Sequence, residues 1–484
     1  MNLIKLILAV DKEGNYGMDD HGIDCGFSMP WSRDVSKLSG DMKLFKKVTT
    51  GIDSSTVRKN IVIMGKNTWR TLGKPLYNRY NIVVSKSMAG KTDVADTLFT
   101  SSLTDALLFI SRKKILLNVG DVFIIGGKAL WLEALDRKIV SEIYLSTFKE
   151  SYGELKKFDI YSNKRFNKDF KKVEMLLDNE YVSSVRYETS VKEELFFLKT
   201  LEKIINKGVY RMDRSGVGTF SLFGKSFKYD IRNYRLPLFT HRKVFIRGII
   251  EELLFFISGR TNTKELESKG VNIWKGHTSI EYLDKVGLGG MKEGSYGPSY
   301  GFQLRHWGAD FKGDDVDYTG QGIDQLEYIV NLLKGKDSRY SRRIVFSYWN
   351  PSVLEKVPLP SCHVLYNFFV DPSTEELSVS FYQRSNDFAL AAVFNVVSAT
   401  ILTFMLCSIT GLKPGKCIHN VGDLHLYSNQ IDSVKQFLNN KSNIAFCFMN
   451  IKNNSYSSLD EFKIEDFEAV LYNSRKKYNI PFSV

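Results

Sequence analysis

Two successive mixed domains are predicted, an α/β domain over residues 1–189 and an α+β domain over residues 190–484. Three observations predict them. A chain of 484 residues exceeds what one hydrophobic core usually organises, and its 43% apolar and 13% aromatic content is that of a folded globular protein. The first 189 residues alternate short Val/Ile-rich runs with helical segments, the pattern of an α/β sheet. After Ser190 that alternation gives way to long helices mixed with strands.

The elements follow in order. Leu3–Val10 reads as a buried strand that begins the chain and leaves no room for a signal or transit peptide. Gly40–Phe45 is helical, and Asp41 and Phe45, four apart, share one face. Ile61–Met64, Asn81–Val84, Val122–Ile125 and Ile143–Leu145 are strands, and Val185–Thr189 closes that set. A leucine-rich helix starts at Glu193 with no Pro/Gly/Ser linker before it. Ala389–Leu412 carries no charge, but Asn395, Ser398, Thr400, Thr403, Ser408 and Thr410 interrupt it, so a core helix is expected rather than a membrane span.

Composition narrows the function. Cys25, Cys362, Cys407, Cys417 and Cys447 are odd in number and lack paired metal spacing, which predicts a reducing compartment, a cytoplasmic location and no metal. The net charge of +13 is spread over scattered lysines without a nucleic-acid-binding signature. A basic surface of this kind steers small anions into clefts.

The chemistry concentrates in Leu359-Pro360-Ser361-Cys362-His363 and, downstream, Gln383-Arg384-Ser385-Asn386-Asp387. Together these offer a nucleophilic thiol, a phosphate-binding guanidinium and a carboxylate, the groups needed to attack a pyrimidine nucleotide covalently. With segments 211–219, 247–257, 297–305, 342–350 and 420–429 in order, this half resembles thymidylate synthase, while the first 189 residues resemble dihydrofolate reductase. The chain is therefore similar to the bifunctional dihydrofolate reductase–thymidylate synthases. The fold implied is an α/β dihydrofolate reductase-like domain fused to an α+β thymidylate synthase-like domain.

For the synthase half the resemblance implies that Cys362 adds to C6 of dUMP, with nearby arginines favouring the thiolate. Arg214, Arg384 and Ser385 match phosphate ligands, and Arg342 and Arg343 match a pair donated by the second subunit of a homodimer. Glu252 would relay protons to the base through water, and Tyr300 would lie in the same network near the thiol. Asn395 would accept from uracil N3–H and donate to O4, and His425 and Tyr427 would bind the ribose hydroxyl. Trp274 and Asp387 would contact the pterin of the co-substrate 5,10-methylenetetrahydrofolate, and Asp387 also borders the nucleotide site.

For the reductase half it implies that Asp41 is the acid near the pterin of dihydrofolate, with Trp31 helping to order the water beside it. Phe45 and Leu76 would pack on the folate, and Arg79 would clamp its α-carboxylate. Gly65, Lys66 and Thr68 open a helix suited to the phosphates of NADPH. Ser85 and Lys86 would meet its 2′-phosphate, and Gly126-Gly127 would allow the pyrophosphate to approach closely.

The chain departs from the family at the enlarged Asp19–Ser28 loop, at Trp131 in a position usually held by Tyr, and at Ala389-Leu390-Ala391-Ala392-Val393-Phe394. The last segment replaces glycines and a proline. Ala389 and Ala391 are accordingly expected to narrow the space over the nucleotide–folate stack and weaken folate binding. The same segment motivates one rival, a catalytically impaired descendant with a binding or regulatory role. A nucleotide hydroxymethylase is a second, opposed by Asn395 and by the attached reductase.

Overall fold

The computed structural model describes residues 4–16, 35–50, 58–91, 94–113, 119–152, 160–189, 192–213, 216–438, 447–452, 455–472, 474 and 477–482. Trp31, Arg214, Ser190 and the Asp19–Ser28 loop lie outside them. Of the described residues, those up to Thr189 form one compact unit and those from Lys192 form another.

The first unit is built on a single sheet. Its strands are β1 (Ile4–Val10), β2 (Asn60–Gly65), β3 (Arg79–Val84), β4 (Thr97–Thr100), β5 (Val122–Gly126), β6 (Glu142–Phe148), β7 (Phe170–Asp178) and β8 (Val182–Thr189). They lie in the order β4-β3-β2-β5-β1-β6-β8-β7. The pairs from β4 to β6 are parallel, while β8 runs antiparallel to both β6 and β7. β1 sits between two parallel neighbours and is buried along its whole length, which explains a sequence apolar but for Lys5, whose ammonium pairs with Asp121 and Glu142. β7, at the edge, is mostly exposed and correspondingly rich in charge. Helices α1 (Val35–Thr50), α2 (Lys66–Leu72), α3 (Leu103–Lys113), α4 (Lys128–Asp136) and α5 (Lys164–Asp169) join the strands. Gly73 ends α2 in the left-handed region at φ 67°, where a side chain would be strained.

In the second unit, α6 (Lys192–Lys207) leads to β9 (Val209–Arg211) and β10 (Thr219–Asp230), and then to α7 (Ile246–Ile257). β11 (Val345–Ser347), β12 (His363–Asp371), β13 (Glu376–Asp387) and β14 (Lys413–Tyr427) complete a sheet ordered β11-β12-β13-β14-β10-β9. Only β13 and β14 pair in parallel in this sheet, and the Ala392–Thr410 helix is the crossover between them. That helix is apolar on all sides, and its buried residues include Ile401, Phe404, Met405 and Leu406. It is long and apolar enough to cross a membrane by composition, but most of it is covered by this unit's core. Helices apolar all round are buried in protein cores as well as in bilayers. The opposite face of the sheet leaves Val345, Leu365, Phe369 and Tyr382 exposed.

Candidate active sites

The C-terminal end of β13, the start of β12 and α7 converge on a cavity of about 1180 Å³. Cys362, Glu252, Tyr300, Trp274, Arg384, Ser385, Asp387, Asn395, His425 and Tyr427 all line it. These residues come from segments well over a hundred positions apart in the chain. Tertiary packing alone makes them neighbours.

Cys362 is half-buried just before β12, and its backbone N–H donates to Tyr300 Oη at 3.0 Å. Arg384 donates to the carbonyls of Ser361 and Pro360 at 2.9 and 2.8 Å, which brings one guanidinium nitrogen to 4.0 Å from Cys362 Sγ. The guanidinium also lies over the ring of Trp349, 5.4 Å from its centroid. His363, the thiol's sequence neighbour, is buried against the Tyr366 hydroxyl, and desolvation lowers its pKa to about 3. It is neutral, so the cation beside the sulfur is Arg384.

Glu252 receives the indole N–H of Trp274 at 2.8 Å, and Trp274 packs edge-on against Tyr296. Burial drives the Glu252 carboxyl up to about 8, and the indole hydrogen bond opposes this only in part. The group is therefore protonated at neutral pH. Because its folded pKa lies above the unfolded value of about 4.5, it costs stability as pH rises from about 4.5 to about 8. Glu252→Gln is expected to gain thermal stability over the parent across that window, reaching a few kcal/mol near pH 8 and little near pH 4. Parallel thermal denaturation series of the two proteins check this.

Asp387 is half-buried at the cavity wall, and desolvation raises its carboxyl despite donors on both oxygens, the Leu390 N–H at 3.0 Å and the Gln430 amide at 2.7 Å. His425 and Tyr427 alternate onto one face of β14, with ring centroids 5.3 Å apart. Asn395 differs from expectation. Its Oδ1 already accepts from Gln383 at 3.2 Å and Asn386 at 3.1 Å, so the acceptor half of the expected base pairing is taken and the amide NH₂ remains.

The 388–394 segment also corrects an expectation. None of its residues has positive φ, and Ala391 sits at φ −102°, so glycine is not required there. Ala389 is fully buried in the core and does not line the cavity, whereas Leu390, Ala391 and Phe394 do. Ala389 therefore narrows nothing. Buried Arg242 donates to the carbonyls of Ala389 and Leu390 at 2.8 and 2.9 Å and holds the segment in place. Arg242, Gln383, Asn386, Gln430 and Trp349 are functional candidates beyond those expected from the sequence. Gln383 and Asn386 stood within the quoted motif, but nothing local marked the others.

Arg342 and Arg343 are exposed in the turn before β11 and do not line this cavity.

In the first unit, Asp41, Phe45 and Thr49 follow one face of α1. Asp41 is hydrogen-bonded with Ser146, and burial raises its pKa despite that bond. Phe45 and Leu76 pack against the cluster of Ile7, Val62, Met64 and Phe123. Arg79 is 5% exposed and donates to Thr49 Oγ1 at 2.7 Å and Tyr77 O at 3.0 Å. Among the described residues no carboxylate pairs with it.

Gly65, Thr68, Gly126 and Gly127 come together where β2 and β5 pass into α2 and α4. A Cβ on Gly126, whose φ is 150°, would stand 2.8 Å from Thr68 Oγ1. Lys66 donates to Ser87 at 3.2 Å, and Ser87 meets Ser85 at 3.2 Å, while Lys86 is exposed. Ser87 rather than Lys86 thus completes that cluster. Trp131, at the departure from the family, is buried with its indole N–H on Ile124 O at 3.3 Å.

Comparison with known proteins agrees with both units. Residues 196–484 match the thymidylate synthase family model and residues 3–187 the dihydrofolate reductase model, which defines a two-domain enzyme. The chain is 37% identical to the bifunctional dihydrofolate reductase-thymidylate synthase of Paramecium tetraurelia, covering 99% of this chain and 98% of that protein. Proteins of the same name from Zea mays and Leishmania major are 35% and 32% identical, over 97% and 98% of this chain and 96% and 93% of their own lengths. The chain belongs to the bifunctional dihydrofolate reductase–thymidylate synthase family and is an enzyme of thymidylate biosynthesis.

Proposed function

We propose that the second unit methylates dUMP through a covalent Cys362 adduct and that the first unit reduces the dihydrofolate this releases. The thiolate adds to C6 of the pyrimidine, and C5 becomes the nucleophile toward the methylene of 5,10-methylenetetrahydrofolate. Loss of the C5 proton and hydride transfer from the folate leave dTMP and dihydrofolate, and the thiolate departs. The observation that carries this reading is the contact of Cys362 with both Tyr300 and Arg384 in one cavity with a buried, protonated Glu252. Glu252 has a proton to exchange with the base through water, Ser385 and Arg384 border the phosphate position, and Trp274 and Asp387 border the pterin. Release of tritium from C5-labelled dUMP, dependent on methylenetetrahydrofolate, tests it. A protein that binds dUMP but releases no tritium at saturating folate would refute it.

The residues of the first unit suit NADPH. A side chain at Gly126 would press on Thr68 Oγ1, so the backbone there stays open to close approach, and Lys66, Ser85 and Ser87 form a polar cluster in the same unit. When bound, NADPH supplies the hydride. Asp41 orients the pterin and provides for its protonation, and Arg79 holds the folate carboxylate. No step in this reading needs a metal.

The active assembly is a homodimer through the synthase sheet. Its outer face exposes Val345, Leu365, Phe369 and Tyr382, an apolar surface that a second copy would cover, with Arg342 and Arg343 beside it. Mixing inactive Cys362→Ala with inactive Arg343→Ala subunits is expected to restore synthase activity, because each heterodimer then has one site with an intact thiol and an intact borrowed arginine pair. No recovery after confirmed subunit exchange would assign the arginines to their own chain. Thiols at Cys362, Cys407, Cys417 and Cys447 suit the reducing cytoplasm.

A further inference from the structure

The base-facing side of the cavity is backed by a relay of buried amides. Asn395 Oδ1 accepts from Gln383 Nε2 at 3.2 Å and from Asn386 Nδ2 at 3.1 Å. Asn386 Nδ2 also donates to Gln383 Oε1 at 3.0 Å, and the same oxygen lies 2.6 Å from His419 Nε2. Gln383, Asn386 and Asn395 line the cavity, and His419 is fully buried behind them.

Such a relay has two self-consistent polarities. In one, His419 carries its proton on Nε2, every amide points as described, and Asn395 turns its NH₂ toward the cavity. In the other, all three amides and the imidazole tautomer reverse, and Asn395 turns its oxygen toward the cavity. What each polarity leaves unpaired separates them. As it stands, the relay's buried atoms with no partner among the described residues are Asn386 Oδ1 and His419 Nδ1, both acceptors. Reversal would place donors, an amide NH₂ and an imidazole N–H, at the same two buried positions. Unpaired buried donors are rarer and less tolerated than under-used acceptors. The present polarity is the stable one.

We propose that Asn386 is a specificity-determining positioning residue, which with Gln383 locks the Asn395 amide donor-side toward the base and thereby selects a 4-oxo over a 4-amino pyrimidine nucleotide. An amide NH₂ donates to a 4-oxo group and opposes the hydrogens of a 4-amino group. Asn386 is 3% exposed, and its Nδ2 reaches both other amides at once. A small apolar residue in its place would leave Asn395 Oδ1 with one donor and lower the barrier to reversal. The inference rests on the synthase reading, since it takes the cavity to bind dUMP.

The test measures dissociation constants of dUMP and dCMP for the full-length protein, for Asn386→Ala and for Asn386→Leu, which keeps the volume without the donor. Both variants are expected to lose roughly three- to tenfold of the preference for dUMP, the effect of one hydrogen bond. Most of that change should come from tighter dCMP binding. A purely structural role would weaken both nucleotides in step, so an unchanged ratio overturns the proposal. Loss of both nucleotides by both variants overturns it as well. A parent protein that binds neither nucleotide refutes the synthase reading and this inference with it. A parent that prefers dUMP beside variants with the same preference refutes the lock alone.

Discussion

Cys362→Ala is expected to remove thymidylate formation while dihydrofolate reduction continues near its original rate. Without the sulfur no bond forms at C6, and C5 never becomes nucleophilic. Losing a covalent nucleophile costs on the order of 10⁴- to 10⁶-fold in turnover. The loss is confined to one unit because Cys362 and its partners Tyr300 and Arg384 all belong to the described residues from Lys192 onward. Asp41, Arg79 and the Gly126-Gly127 cradle belong to the other unit. Alanine leaves the Cys362 N–H to Tyr300 contact intact, so dUMP binding should survive, and calorimetry with dUMP checks that the site is still formed. Reductase turnover falling as steeply as synthase turnover would contradict two independent sites.

The second large effect is expected at Asp41. Asp41→Asn should lower reductase turnover by about two to four decades at neutral pH, the range for loss of a general-acid group. The deficit should shrink in acid, where solvent can protonate the pterin directly. Stability should move the opposite way. Burial raises the Asp41 carboxyl above its ordinary value, so in the pH range between the two values the folded protein binds more proton than the unfolded chain. That mismatch costs stability as pH rises from the ordinary carboxylate value toward the folded one, and the cost persists above it. The Asn variant escapes it, so it should melt no lower than the parent at neutral pH while being far less active. Steady-state rates from pH 5 to 8 and matched melting curves check both halves. Unchanged turnover at neutral pH would remove Asp41 from the site.

The sequence by itself determined the order and type of the main elements and, of the charged residues that line the cavity of the second unit, singled out Glu252, Arg384 and Asp387, while Arg242 and Asp423 went unmarked. Strands such as Ile61–Met64 and Val122–Ile125 were legible because a strand buried on both faces must be apolar throughout, a local property. The Asp41–Phe45 face was legible because helical spacing is local too. Only the tertiary structure decided which atoms of those residues are available. Cys362 meets Tyr300, Glu252 meets Trp274 and Asp387 meets Gln430 across long stretches of chain, and no spacing rule encodes such contacts. The Glu252 carboxyl rises to about 8 because the fold buries it, and a sequence does not state burial. From the sequence, Ala389 and Ala391 in place of glycine are expected to narrow the space over the nucleotide–folate stack, yet Ala389 lies in the core and outside the cavity lining. The segment's backbone proves ordinary, held by the Arg242 guanidinium that the fold brings to its carbonyls. The direction in which Asn395 presents its amide was likewise undetermined until packing set Gln383, Asn386 and His419 around it, because an amide can face either way and only its hydrogen-bond partners choose.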